Sequence, residues 1–124
     1  MKKSGPTTDN YRELARVFDA LSHPVRLRML QLLAREEQCV CHLTTVLKKR
    51  QPYVSQQLAV LRDSGLVLDR RDGLMIYYHL ASPVVLALMG QAAELLRQQG
   101  RDIEVSALDT GPVSGCPCPK CANQ

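Results

Sequence analysis

The stretch EQCVCHLTTVLKKRQPYVSQQLAVLRDSGLV, residues 37–67, decides the fold of this chain. It joins two segments of different chemistry. The first carries a closely spaced thiol pair, Cys39 and Cys41, at the start of a short helix that the pattern predicts at about 40–47. The second is a longer helix, predicted at 51–63, whose apolar residues recur at helical spacing.

Two short helices joined by a tight connection predict a helix-turn-helix motif. In the second helix, Val54, Leu58 and Leu61 fall on one face and are expected to pack inward. The opposite face carries small or polar residues, namely Ser55, Gln56, Ala59 and Arg62. Gly65 supplies the stop signal at the end of the helix. A helix with this outer face is suited to lie on DNA.

Two further helices are predicted ahead of this motif. The first runs from Asp9 to about Leu21, with Asp9 as its cap. Its apolar face consists of Leu14, Val17, Phe18 and Leu21. The second runs from Val25 to Arg35 behind Pro24, because a proline in the first turn lacks only an amide that would be unpaired there.

A β-hairpin and a last helix are predicted after the motif. Two β-rich runs, 67–71 and 74–80, flank Asp72-Gly73, and such a dipeptide is the strongest short hairpin signal. The last helix is predicted at 84–99. Its apolar stripe consists of Val85, Leu88, Ala92, Leu95 and Leu96. Part of this stripe is expected to meet a second subunit, because no further element follows to cover it. The alternative is that it completes the core of one subunit.

Length and composition indicate one domain at residues 9–100, between a disordered N-terminus at 1–8 and a flexible tail at 101–124. No apolar run is long enough to span a membrane and no secretion signal precedes the domain, so a cytoplasmic protein is expected. In a reducing compartment, an odd number of cysteines, here five, favours thiols or ligands over a disulfide framework. The sequence contains no nucleophile–base arrangement and no phosphate loop, so an enzyme is not expected.

Positive charge is concentrated in residues 48–71. This segment has six basic residues against two acidic ones, an excess equal to the net charge of +4 of the whole chain. The basic residues are Lys48, Lys49, Arg50, Arg62, Arg70 and Arg71. A local excess of this kind is expected of a surface that faces phosphates. Charge alone is equally compatible with a solvated basic face.

The order of elements is the winged-helix pattern, and two motifs within it resemble the ArsR/SmtB family of metal-sensing repressors. One is LSHPVRL at residues 21–27. The other is QPYVSQQL at 51–58, followed by LRDSGLV at 61–67. The similarity covers about residues 11–98. Within the family, Cys39-Val40-Cys41 is similar to the thiol motif of the arsenic-responsive and of the cadmium- or lead-responsive members.

The resemblance implies a mostly α, homodimeric winged helix-turn-helix protein with a β-hairpin wing, which pairs through its first and last helices. Such a repressor binds double-stranded operator DNA when metal-free and releases it on binding metal. By position, the residues at the DNA-reading end of the recognition helix are Gln51, Tyr53, Ser55, Gln56 and Gln57. Arg62 lies on the same outer face, and Arg70 and Arg71 would lie in the wing. Lys48, Lys49 and Arg50 are expected to contact phosphate, which positions a protein without reading sequence.

Four features depart from the family pattern. Arg50 stands where a Ser or Thr usually caps the recognition helix, so the cap must come from elsewhere. Gln57 replaces a frequent His, which should alter base preference. Thr44 stands where a third cysteine often follows the pair. The last helix has neither the Asp nor the His of a second family metal site, so that site is not expected.

Soft thiolates select soft ions. Trivalent arsenic or antimony is satisfied by three sulfurs, of which Cys39 and Cys41 supply two. The tail offers three candidates for the third, namely Cys116, Cys118 and Cys121. Cadmium, lead or mercury could instead take three or four of the five thiols. Zinc is less expected, because the histidines are scattered and only one Cys-x-x-Cys pair is present. No organic cofactor is expected.

The spacing of the thiol pair also suggests a switch. Two residues advance about 200° around a helix, so Cys39 and Cys41 would point apart on a regular helix. To bind one ion, the first turn must be non-helical or must unwind, and metal and DNA must weaken each other's binding by the same factor. His42 is expected to be a surface polar residue rather than a ligand.

The main expectation is therefore an arsenite- or antimonite-responsive repressor of the kind that controls arsenical resistance. A cadmium-, lead- or mercury-responsive repressor of the same fold is one alternative. A repressor that senses oxidants or persulfides, with a bridge from Cys39 or Cys41 to the tail, is another. A thiol-rich metal carrier that does not bind DNA is the remaining one.

Overall fold

The structure is a computed structural model that describes residues 7–104 of the chain. Its elements in chain order are α1 (Thr7–Leu21), α2 (Pro24–Arg35), β1 (Gln38–Cys39), α3 (Val40–Leu47), α4 (Gln51–Asp63), β2 (Val67–Asp72), β3 (Met75–Leu80) and α5 (Pro83–Gln98). The α3–α4 pair followed by the β2–β3 hairpin, here called the wing, confirms the winged helix-turn-helix that the sequence predicts.

The recognition helix α4 is held by its apolar face. Val54, Leu58 and Leu61 are fully buried, as their spacing predicts, and they belong to the main core. That core also contains leucines from α2 and α3, so one hydrophobic cluster fixes the three helices relative to one another. Burial of each such side chain contributes about 1.5–3 kcal/mol, which makes this packing the main determinant of where α4 lies.

The connection between α3 and α4 turns at Lys48. Its φ and ψ of 57° and 44° lie in the left-handed region, and its backbone N–H donates to the carbonyl of Thr44. Few residues other than glycine adopt this conformation. The turn ends α3 after Leu47 and exposes the next three side chains, Lys48, Lys49 and Arg50, ahead of the recognition helix.

The turn of the wing lies one residue later than the sequence predicts. Asp72 pairs with Met75 across the hairpin, so Gly73 and Leu74 form the turn and not Asp72-Gly73. Gly73 has φ +62°, whereas Leu74 does not have a positive φ. A positive φ at the first central residue alone is the type II′ pattern, whose first position favours glycine.

A third strand joins the wing, and the sequence pattern does not predict it. The two residues of β1 pair antiparallel with β3, with Gln38 opposite Tyr78 and Cys39 opposite Tyr77. The strand order in the sheet is β1-β3-β2. Two residues are too few to show the alternating pattern of a strand, so only the pairing itself reveals β1.

The outer helices α1 and α5 bury less of their apolar surface than predicted. In α1, Ala20 is buried, whereas Leu14 and Phe18 are 55% and 58% exposed, although their spacing predicts an inward face. The core face of α5 consists of Val85, Met89 and Ala93, and the predicted stripe member Leu95 is exposed. The reason is that both helices make their main contacts with α2, so a second apolar face of each remains exposed. Within residues 7–104, no helix has the length and apolar content needed to cross a bilayer.

Candidate thiol site and nucleic-acid interface

Cys39 and Cys41 converge. Their Sγ atoms lie 2.7 Å apart, which is longer than the roughly 2.05 Å of a disulfide bond, so the thiols are in contact without a covalent link. Cys39 has φ −87° and ψ 163°, an extended conformation, because it ends β1 and precedes the first turn of α3. The sequence allowed either a non-helical first turn or a helical turn that unwinds. The structure has the non-helical turn, so α3 does not need to unwind to bring the two sulfurs together.

The cap of α3 explains why the pair sits where it does. The Sγ of Cys39 accepts a hydrogen bond from the backbone N–H of His42 at 3.3 Å, which satisfies one of the free amides at the helix start. Cys39 is only 1% exposed, whereas Cys41 is partly exposed. The prediction that His42 is a surface residue is wrong, since His42 is fully buried. His42 follows the buried N-cap Cys39 by three residues, and residues three apart lie on the same side of a helix, so both face the interior.

A small apolar cluster surrounds the thiols. Cys41, Met75 and Tyr77 pack against Cys39, so the wing strand β3 forms one wall of the site. A pocket of about 240 Å³ opens beside the two cysteines, and its other side is formed by residues of the wing and the first residue of α4. The thiol pair therefore lies where α3, the recognition helix and the wing meet.

The thiol pair is not a complete metal site by itself. Among residues 7–104, no group of three or more His, Cys, Asp or Glu side chains is arranged to hold a metal ion. Thr44, the position of the third cysteine in the family pattern, is engaged in the helix, where its hydroxyl donates to the carbonyl of Val40 at 2.8 Å. The three candidates for the third sulfur, Cys116, Cys118 and Cys121, lie outside the described residues, as do most of the predicted tail and the N-terminal segment.

Glu37 links the thiol segment to the wing. Its carboxylate accepts two hydrogen bonds from the guanidinium of Arg70, at 2.6 and 3.0 Å. The hydrogen bond with Glu37 raises the pKa of Arg70 above its ordinary value. The same guanidinium lies over the ring of Tyr77, 4.9 Å from its centroid, and Tyr77 is the β3 partner of Cys39. Arg70, predicted from the sequence to lie in the wing at the DNA, is thus tied to the segment that precedes the thiols.

Most of the predicted DNA-facing side chains form one exposed surface. It begins at the turn and continues along the first two turns of α4, and it consists of Lys48, Lys49, Arg50, Gln51, Tyr53, Ser55 and Gln56. The ammonium of Lys49 lies over the ring of Tyr53, 5.9 Å from its centroid. In the described part of the chain, Arg50 occupies the cap position of α4 without a side-chain cap hydrogen bond. Arg71, in β2, is also exposed.

Gln57 differs from its neighbours in α4 because it is partly buried. Its Oε1 accepts a hydrogen bond of 2.7 Å from the Nε of Arg26 in α2. The Nη1 of Arg26 also lies 3.4 Å from the carbonyls of Asp19 and Ala20 at the end of α1. Arg26 therefore ties the recognition helix to α1 and α2, and one side of Gln57 is occupied by this contact.

Arg62 lies at the other end of α4, about 16 Å along the helix from Gln51 at 1.5 Å per residue. It forms ion pairs with Asp63 at 3.7 Å and with Asp69 of β2 at 3.5 Å. The structure therefore does not bring Arg62 together with the basic turn. Its contacts connect the end of the recognition helix to the start of the wing.

Sequence reasoning missed the residues that connect the two sites. Arg26 lies within the LSHPVRL motif that carries the family resemblance, and that motif was the one signal for it. Glu37 left no pattern of its own, because its partner Arg70 is 33 positions away along the chain. The roles of Met75 beside Cys39 and of β1 follow only from the strand pairing.

Comparison with known proteins identifies the family to which these features belong. Residues 23–68, from the start of α2 to the start of the wing, match the profile of the family described as "Bacterial regulatory protein, arsR family". The match includes the thiol pair, the basic turn and the recognition helix.

Two curated relatives illustrate the range of similarity. The chain is 41% identical over 90 residues to the transcriptional repressor SmtB homolog of Synechocystis, an alignment that covers 73% of this chain and 68% of the relative. It is 49% identical over 65 residues to the arsenic resistance transcriptional regulator ArsR1 of Pseudomonas putida. That second alignment covers 52% of this chain and 51% of the relative, so the chain spans about half of that regulator's length.

Solved structures agree with the fold. The homodimeric winged helix-turn-helix DNA-binding domain of a possible ArsR-family transcriptional regulator from Mycobacterium bovis superposes with a TM-score of 0.71. It is 27% identical, and the superposition covers 85% of this chain and 99% of that one.

Proposed function

This chain belongs to the ArsR family of bacterial regulatory proteins, and we propose that it is a metalloid-responsive transcriptional repressor. In this proposal it binds operator DNA when metal-free and releases the DNA when trivalent arsenic or antimony binds its cysteine thiolates. The observation that carries the proposal is the convergence of Cys39 and Cys41 at the start of α3, the helix that precedes the recognition helix.

The ligand set follows from the chemistry of the pair. Two thiols in contact, within an apolar cluster, suit a soft thiophilic centre. Inorganic arsenic or antimony in the trivalent state takes three sulfurs, and a tail cysteine supplies the third in this proposal. The same donors would accept cadmium, lead or mercury, so the choice among soft ions is made by coordination number and geometry. The similarity to an arsenic resistance regulator favours arsenic.

The DNA face is proposed to be the exposed surface from Lys48 to Gln56. The three basic residues of the turn contact phosphates and position the protein. The side chains of Gln51, Tyr53, Ser55 and Gln56 project from the first two turns of α4 and read base edges in the major groove, as an α-helix of this size can enter that groove. Gln57 contributes to DNA binding in two ways in this proposal. Its hydrogen bond with Arg26 orients α4, and its amide nitrogen, which Arg26 does not contact, faces the DNA.

Coupling between the two sites is proposed to pass through two contacts of the thiol segment. One is the pairing of Cys39 with Tyr77, by which a ligand on the sulfurs displaces the wing strand β3. The other is α3 itself, whose far end carries the basic turn. Because linkage is reciprocal, any factor by which arsenic weakens DNA binding equals the factor by which DNA weakens arsenic binding.

The protein is proposed to act as a homodimer through α1 and α5. The exposed apolar side chains of these two helices are Tyr11, Leu14, Phe18, Val84, Leu86 and Leu95. Exposed apolar surface of this extent is typical of subunit interfaces. Replacing Phe18 with Asp should yield monomers in sedimentation velocity, because an aspartate buried in an apolar interface has no partner. A Phe18→Asp variant that remains dimeric would contradict this interface.

The direct test of the function is a titration of operator DNA, followed by fluorescence anisotropy, with and without arsenite. The proposal expects tight binding without arsenite and at least tenfold weaker binding with it, which corresponds to the lower half of usual allosteric coupling energies, about 1.4 kcal/mol. Antimonite should act in the same way, and sodium chloride at equal ionic strength is the control. Unchanged affinity in the presence of arsenite would refute the proposal.

Two rival functions predict different outcomes in the same assay. A thiol redox or persulfide sensor would lose DNA affinity with oxidant and respond to neither arsenite nor antimonite. A metal carrier would bind the metalloid and fail to bind DNA even at low salt, where phosphate contacts are strongest. Three consecutive exposed cations directly ahead of the recognition helix, Lys48, Lys49 and Arg50, argue against the carrier.

A further inference from the structure

The side-chain amide of Gln57 is held in one orientation. The Nε of Arg26 donates a hydrogen bond of 2.7 Å to its Oε1, and this contact is partly buried. A guanidinium only donates, so the atom of the amide that faces Arg26 must be the oxygen and not the nitrogen. The two ends of this amide therefore cannot exchange as they do in a freely rotating glutamine.

Arg26 is itself held from a second direction. Its Nη1 lies 3.4 Å from the carbonyl oxygens of Asp19 and Ala20, in the last turn of α1. The C-terminal end of a helix carries partial negative charge, which attracts a cation. The position of the guanidinium is therefore set by α1 and α2 before any DNA is bound.

Gln57 also lies beside the proposed DNA face. It follows the exposed Tyr53 by four residues, and residues four apart are neighbours on one side of a helix. Its side chain is partly exposed. Because Arg26 engages the amide oxygen, the amide nitrogen is the group that Gln57 can offer to a base, and this nitrogen only donates.

We propose that Gln57 reads guanine, and not adenine, at the operator position that it contacts, and that Arg26 is the positioning residue that sets this preference. The inference rests on the proposed function, because it assigns a base preference to the same DNA face. A free glutamine pairs with adenine, whose N7 accepts from the amide nitrogen while its N6 amino group donates to the amide oxygen. Guanine instead presents two acceptors in the major groove, N7 and O6, and both suit a group that only donates.

The positive charge of Arg26 strengthens this preference. An amide oxygen has a second lone pair, but an N–H group of adenine that approached it would lie beside the cationic guanidinium, which repels a donor hydrogen. The same charge polarises the amide of Gln57, so that its N–H groups become better donors. Both effects favour guanine over adenine.

The test is a selection from a pool of randomised duplex DNA with the full chain, followed by sequencing of the bound fraction. Gln57→Ala identifies the position, because the base preference should disappear there and persist elsewhere. At that position, wild type should favour guanine over adenine at least about fivefold, the lower end of the discrimination given by a good base contact. If Gln57→Ala changed no position, or if wild type did not favour guanine there, the inference would be overturned.

Replacement of Arg26 tests the positioning role. Arg26→Met keeps an apolar stem and removes the charged donor, so the amide of Gln57 can turn and the preference should shift from guanine to adenine. Arg26→Lys, which keeps a cationic donor, should restore guanine. Arg28→Met removes the same charge from an exposed position of α2 and is the matched control, in which guanine should stay preferred. A purely structural role of Arg26 would weaken binding to all sequences and would not exchange one base for another.

Gln57→Glu is an independent check that keeps Arg26 in place. A glutamate at this position can still contact the guanidinium but only accepts, so the preference should move to cytosine, whose N4 amino group donates. A guanine preference retained by Gln57→Glu or by Arg26→Met would overturn the inference and leave the proposed function standing. Enrichment of no sequence by wild type would instead overturn the proposed function, and the inference with it.

Discussion

The two ends of α3 differ in almost every physical respect. The helix begins at Cys39, which is buried, paired with the sheet and capped by its own thiol. It ends nine residues later at Lys48, which is exposed, has a left-handed backbone conformation and is the first of three consecutive cations. A helix of two turns therefore separates a buried thiol pair in apolar surroundings from an exposed, charged surface.

In the proposed function, this difference would let a ligand that never touches DNA act on the DNA-binding surface. The eight residues of α3, at 1.5 Å each, span about 12 Å, and a helix transmits a displacement over that length as a rigid element. The buried end is tied to β3 and the exposed end leads into α4. A change at the thiols therefore reaches the wing and the recognition helix by separate routes.

The largest expected effect comes from removing one thiol. Cys39→Ser should abolish the arsenite response, because one sulfur of the pair is lost. The affinity for arsenite should fall at least about a hundredfold. Serine is a preferred N-cap, so the hydrogen bond from His42 and the fold should survive. DNA binding without arsenite should stay within about threefold of wild type, as measured by anisotropy. A Cys39→Ser protein that still releases DNA with arsenite would place the inducer elsewhere.

The next effect comes from completing the pair within α3. Thr44→Cys places a thiol three residues after Cys41, on the same side of the helix. Arsenite should then bind roughly tenfold more tightly or better, because no loop of tail residues needs to close. The decisive comparison combines Thr44→Cys with serine at the three tail cysteines, which should restore a response that the tail variant alone lacks. Thr44→Ser, which keeps the hydroxyl, is the control.

At the exposed end, Arg50→Ser should change two properties in opposite directions. A serine cap should stabilise α4 by about 1 kcal/mol, measured by urea unfolding. Loss of one phosphate contact should lower the dependence of log affinity on log salt by about 0.9. Arg50→Ala removes the charge without adding a cap and should show only the second effect. An unchanged salt dependence would exclude Arg50 from the DNA surface.

The smallest effect concerns the turn itself. Lys48→Gly relieves a left-handed conformation that costs most residues about 1 kcal/mol, and the greater freedom of unfolded glycine offsets part of the gain. A net stabilisation of roughly 0.5 kcal/mol is expected. Lys48→Ala, which removes the same charge and keeps the strain, should give none. Stabilisation of both variants to the same extent would point to charge repulsion in the turn instead of strain.

The elements that local pattern controls could be predicted from the sequence. The recognition helix begins at Gln51 and buries Val54, Leu58 and Leu61 as their spacing requires, because a 3.6-residue period has only one way to face a core. Pro24 and Gly65 mark helix ends through backbone preferences that act within a few residues. The thiol pair and the cationic turn were visible for the same reason, since each consists of neighbours in the chain.

The tertiary structure alone decided how those pieces face one another. The sequence left open whether the first turn at the thiols is non-helical or must unwind. In the structure, β1 pairs with β3 and holds Cys39 outside the helix, with its sulfur in contact with that of Cys41. Likewise, Phe18 had the spacing of a core residue and lies exposed, because the main contacts of α1 are with α2 and leave that face uncovered. Contacts such as that of Arg70 with Glu37 join residues more than thirty positions apart, where no periodicity operates. Local sequence sets the conformational preference of each segment, whereas long-range packing decides which segments contact one another. The candidate ligand site depends on the second, because it forms where β1 pairs with β3.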